Sequence, residues 1–168
     1  MGIFKAAGQF VSGEYKESAE EIYNLILGWK FFLENEVVVG ITEESNVSEG
    51  PFTSAALLYM HEGGVPSHNI PPRPVLEPAI ALPENKEKIE EMMQEAAEAA
   101  LVDGDIEKAK ACCEKAGMAG RDACKKYITD GHLAPNAPST VARKGSSIPL
   151  IDTGAMHGSI SYAVRRKK

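Results

Sequence analysis

The stretch from Glu84 to Thr129 constrains this chain more than any other, because it reads as helix nearly throughout and breaks only once, at Asp103-Gly104-Asp105. From Glu84 to about Val102 the residues are mostly Lys, Glu, Met, Gln and Ala, all good helix formers. Ile89, Met92, Met93, Ala96, Ala97, Ala100 and Leu101 recur at helical spacing as its inner side. A second helix is predicted from about Ile106 to Thr129, with Ala109, Cys112, Cys113, Ala116, Ala123, Cys124, Tyr127 and Ile128 facing inward. Gly117 and Gly120 weaken its middle. Two helices with small inner residues and a short break form a hairpin whose backbones can approach closely.

The other elements are arranged around that hairpin. A helix is expected from about Ser18 to Glu34, with Ser18 as N-cap and Glu21 at the capping-box spacing. Ile22, Leu25, Ile26, Trp29, Phe32 and Leu33 form its apolar stripe, and Tyr23, Leu27 and Phe31 widen it beyond what one contact requires. Such a helix is expected to be covered on two sides, the second by a neighbouring subunit. Glu36 to Ile41 is β-branched and reads as a strand. Ser54 to His61 is too short for its period to separate helix from strand. The proline-rich run that follows predicts an extended loop over about 62–83. Beyond Gly131 a second proline-punctuated loop leads to Ser159–Arg165, whose alternation marks a half-buried strand, so loop and strand together occupy about 131–165. That strand is expected to pair with the one holding Val37–Val39. The whole of 1–168 is read as a single α+β domain, with a small antiparallel or mixed sheet against an N-terminal helix and a helical hairpin.

A net charge of −6 and a pI near 5.3 argue against general nucleic-acid binding, which needs clustered cations. The one dense basic run, Arg165 to Lys168, reads as a solvated tail. No apolar stretch approaches a membrane span, and the first residues lack the pattern of a secretory signal, so a soluble protein made in a cytoplasm is expected. Cys112, Cys113 and Cys124 make a poor disulfide framework, being odd in number with a vicinal pair. On one helix Cys113 and Cys124 would lie about 16 Å apart. They read as buried apolar thiols, or alternatively as an inter-subunit bridge or a reactive thiol.

Motifs that carry chemistry are incomplete. After His61-Glu62 the second histidine of a zinc-protease helix is missing, since that position holds Val65, and His68 lies inside the proline loop. Asp152-Thr153-Gly154 resembles an aspartic-protease loop, but the chain has one copy where the chemistry needs two carboxylates, and Gly154 reads as a turn or cap. Ser146 and Ser147 lack a nucleophile-elbow context. No catalytic, cofactor-binding or metal-ligating residue is therefore assigned, and no cofactor is expected.

Two segments, "YMHEGGVPSHNIPPRPVLEPAI" and "LAPNAPSTVARKGSSIPLIDTGAMHGSISYAV", together with the element order between them, resemble the virion-morphogenesis family of tailed bacteriophages and Mu-like prophages, which is related to neck and tail-completion proteins. Gly63 and Val75 stand where that family usually has aromatic residues, which is expected to loosen loop packing. The resemblance implies a non-enzymatic α+β subunit that forms a ring, six-fold or twelve-fold, at the head-proximal end of the tail. Its partners would be other neck, connector or tail-terminator proteins. It would be located in the virion after assembly in the host cytoplasm. The alternatives are an assembly factor absent from the particle and, more distantly, a protease dimer. Arg73, on the stiff "IPPRPVLEP" arm, either docks into a neighbour or braces the chain's own sheet. The glutamates at 84, 87, 90, 91, 95 and 98 either line a lumen crossed by DNA or form a solvated face.

Overall fold

The computed structural model describes residues 13–167, and within them the chain is α+β, 61% helical and 11% strand. Helix α1 (Gly13–Glu34) runs directly into strand β1 (Asn35–Gly40). It begins upstream of Ser18, so that residue lies inside the helix and is not its cap. A minimal hairpin, β2 (Ser48–Glu49) and β3 (Phe52–Thr53), precedes α2 (Ser54–Gly63). The ambiguous segment is thus a helix, and Thr53 starts it by accepting a hydrogen bond from the Ala56 amide at 3.2 Å.

The proline segment contains more structure than its composition predicts. Pro66–His68 forms a 3-10 turn, and α3 (Leu76–Ala81) begins within the expected loop. Pro78 is tolerated because it falls in the first turn of α3, where no backbone donor has a helical partner. The extended loop therefore ends near Val75, well before residue 83. The hairpin follows as expected, α4 (Pro83–Leu101) and α5 (Ile106–Thr129). Asp105 caps α5 by accepting from the Lys108 amide at 2.8 Å. The C-terminal loop also carries two short helices, α6 (Pro138–Lys144) and α7 (Ala155–Ser159), before β4 (Ser161–Arg166). Pro138 suits the first position of α6, since its missing N–H would have no partner there.

Strands β1 and β4 pair antiparallel, Val37 with Val164 and Val39 with Tyr162. This ribbon lies on α5, and the two glycines of α5 are what let it in. A methyl group on Gly117 would stand 2.5 Å from Tyr162 Cδ2, and one on Gly120 would stand 2.8 Å from Val39 Cγ2. Arg165 and Arg166 are not a loose tail; they end β4 and pair with Glu36 and Glu34, each at 3.0 Å.

Along α5 the core falls into successive clusters. Near its start Phe31 and Phe32 of α1 pack with Ala99, Ala100, Ala109, Cys112 and Cys113. Near its end Cys124 and Ile128 pack with Val75, Ala79, Leu133 and Ile160. Ala99, missed by the sequence pattern, is fully buried. Val75 is fully buried too, so its aliphatic side chain leaves no looseness, whereas the space beside Gly63 is open.

Helix α1 shows the main departure. It turns Asn24, Leu27, Gly28, Phe31 and Phe32 inward, with Gly28 against the Ala100 carbonyl. The stripe predicted to face the core faces out instead: Ile22 is 58% exposed, Ile26 59%, Trp29 56% and Leu33 68%. Of the predicted apolar residues, Phe32 of the stripe and Leu27 and Phe31 of its widening are on the packed side.

Candidate functional site

The two loop segments, distant in sequence, are closed into one groove by Arg73. Its side chain is buried, donating from Nε to the Ala134 carbonyl at 2.8 Å and from Nη2 to the Pro135 carbonyl at 3.0 Å. Its own amide donates to the His61 carbonyl at 2.6 Å. Arg73 is thus an internal brace, but it ties the proline arm to the C-terminal loop and not to the sheet. Beside it Glu62 is an unforeseen structural residue: Oε1 accepts from the amides of Val75 and Leu76 at 2.9 and 3.0 Å, capping α3 from thirteen residues away. No local pattern could reveal such a cap. A buried Ser159–Ser54 hydrogen bond, 3.2 Å, ties α7 to α2 and fixes the groove's other wall.

The groove has a volume of about 1180 Å³, larger than the roughly 300–1,000 Å³ typical of small-molecule pockets. Its apolar lining comes from Leu57, Ile70, Leu150 and Met156. Its formal charges are Arg73, Arg143 and Lys144 against Asp152, a net of +2 with the histidines neutral. Burial, then the charges of Arg73 and Lys144, push the His61 pKa below its ordinary value. The buried His61 Nδ1 finds no hydrogen-bond partner among the described residues. Both non-glycine residues with positive φ among the described residues line this groove, Asn69 at 54° and Leu150 at 60°. Asparagine tolerates that conformation, but a leucine there is strained by on the order of 1–2 kcal/mol.

The remaining candidate groups fall in or near this frame. His68 lies on the rim, with Ser67 Oγ 3.0 Å from its Nδ1. Asp152 is exposed on the opposite lip, and Thr153 Oγ1 accepts from the Ala155 amide at 3.2 Å as Gly154 turns the chain into α7, the cap arrangement that the Asp-Thr-Gly run allows. Ser146 Oγ accepts from the Ile148 amide at 3.3 Å within its own loop, and Ser147 offers its carbonyl to Asn136. Among the described residues no group of three or more His, Cys, Asp or Glu is placed to hold a metal ion. All three cysteines are free and buried. Burial pushes the Cys124 thiol up to about 12 and raises Cys113, so both stay protonated at neutral pH. No described helix is long and apolar enough to cross a membrane.

The second candidate surface is the outward stripe of α1. It lies at the far end of α5 from the groove. α1 packs on Ala109, Cys112 and Cys113 near the start of α5, while the cluster beneath the groove holds Cys124 and Ile128 near its end, about 16 to 28 Å further along the axis at 1.5 Å per residue. No family model, no curated protein and no solved structure matches this chain.

Proposed function

We propose that this chain is a structural subunit of the neck of a tailed phage, a protein that closes into a ring at the head-proximal end of the tail and works by contact rather than by catalysis. The exposed stripe of α1 carries the reading. Ile22, Ile26, Trp29 and Leu33 form a contiguous apolar surface on a helix whose opposite face already completes the core. Surfaces of that kind mark protein contacts. The resemblance of the two loop segments to the virion-morphogenesis family supplies the setting, and those same segments build the groove.

Mass spectrometry of purified particles, quantified against a tail protein of known copy number, tests the proposal. The expected result is six or twelve copies per particle, the six-fold or twelve-fold ring that the resemblance implies. A particle without the polypeptide, formed only when the chain is present during assembly, would replace this reading with that of an assembly factor. Particles that form normally in its absence would end both readings.

A further inference from the structure

The geometry points to a head-to-tail contact in which the α1 stripe of one copy lies in the groove of the next. The inference builds on the ring-subunit reading, but it concerns two surfaces of this chain alone and can stand or fall separately.

Three observations select this occupant. The first is charge. Among the described side chains of α1, Glu34 lies 3.8 Å from Lys30 and 3.0 Å from Arg166, which leaves the exposed Glu20 and Glu21 to give the N-terminal half its acidic character. The groove has a net charge of +2, with Arg143 exposed on its rim. Two α1 helices stacked in parallel would bring Glu20 and Glu21 of both copies together, whereas α1 in the groove brings them to the basic Arg143 and Lys144. The second is shape and polarity. Ile22, Ile26, Trp29 and Leu33 repeat at helical spacing, the pattern of a helix that lays its apolar face into a groove. The groove offers apolar lining over a volume beyond that of a small ligand. The third is placement. Stripe and groove lie at opposite ends of α5, so one copy cannot satisfy both within itself. A contact between unlike surfaces leaves a free stripe and a free groove at the ends of every partial assembly, which is how rings close.

The chain has one tryptophan, Trp29, and it sits in the stripe, so intrinsic fluorescence reads the contact directly. The test mixes two full-length variants. One has a broken groove, Arg143→Glu with Lys144→Glu, and keeps Trp29. The other has a broken stripe, Ile26→Glu with Trp29→Glu, and is therefore dark. Wild type is expected to associate with a blue shift of Trp29 emission, and each variant alone is expected to remain monomeric. Mixed, they should form a complex of two subunits that grows no further, with the emission of the groove variant shifted to the blue. Adding Glu20→Lys and Glu21→Lys to the groove variant should restore its self-association. Circular dichroism of each variant checks that these surface changes leave the fold intact.

If the groove variant instead self-associates and ignores the dark partner, the contact is stripe to stripe and the inference is overturned. A wild-type chain that stays monomeric at hundreds of micromolar, or a mixture that never pairs, overturns it equally. These outcomes leave the count of copies in the particle untouched, so the neck reading can survive them, and the contact can be found even if the particle lacks the chain.

Discussion

Arg73 and His61 show what single residues contribute to the groove. The Arg73 guanidinium reaches two carbonyls sixty-one and sixty-two positions ahead, so its removal detaches one wall from the other. Hydrogen bonds from a charged donor contribute about 1.5–3 kcal/mol each, although the exposed acceptors Ala134 and Pro135 regain water. Arg73→Ala is therefore expected to destabilise the isolated chain by about 2–4 kcal/mol, read from the urea midpoint. Arg73→Lys should recover only part of this, because an ammonium lacks the planar fork. An unchanged midpoint would return Arg73 to the role of a docking residue. His61 makes stability depend on pH. Its folded pKa lies below the unfolded value near 6.5, so between the two the unfolded chain binds more protons. Stability from this group is complete above about 6.5 and is lost as pH falls through the lower folded value. His61→Gln should flatten that part of a stability–pH profile, and an unaltered slope would assign it to other groups.

At the scale of elements, the hairpin and the sheet depend on close approach. Gly117 and Gly120 look like flaws in a helix when read by propensity, since each weakens it by roughly 1 kcal/mol relative to alanine. In the fold they are the seats of Tyr162 and Val39. Gly117→Ala should thus lower stability by about 1–3 kcal/mol despite its better helix propensity, through overpacking against Tyr162. A gain in thermal stability would mean that the ribbon shifts freely. The hairpin was legible in the sequence because its signals are local: a run of helix formers, one Asp-Gly-Asp break, and small residues at a 3.6 period. The bounds of α4 and α5 accordingly fall within about one residue of the pattern. The inward face of α1 was not legible, since periodicity finds apolar residues but cannot rank two apolar faces of one helix. Helices α3, α6 and α7 were hidden for another reason. They are short, lie among prolines, and α3 is capped by Glu62, which reaches it only in the folded chain. The groove was invisible in the same way, because the contacts that make it span more than sixty residues.

For the molecule as a whole, two opposite ends of unlike charge on a chain of net −6 make ionic strength a probe of how copies meet. Between like-charged bodies association is slow at low salt and quickens as screening grows. An acidic helix steered toward a basic groove behaves in the opposite way, its encounter rate falling as the Debye length shrinks from roughly 10 Å at 0.1 M to 3 Å at 1 M. The net charge alone predicts the first behaviour, and the local arrangement of α1 and the groove predicts the second. Trp29 fluorescence in a stopped-flow mixing experiment separates them. Association of wild-type chains is expected to slow several-fold between about 0.05 M and 0.5 M salt, while dissociation changes little because the apolar stripe governs it. The broken-groove variant mixed with the dark variant meets through the same single contact, but with net charges of about −10 and −8 against −6 for wild type its rate should fall less steeply with salt, because screening also relieves the added like-charge repulsion. A rate that rises with salt would place like charges at the contact and favour two α1 helices face to face. A rate indifferent to salt would leave the stripe to act through apolar burial alone and remove Arg143 and Lys144 from the recognition of Glu20 and Glu21.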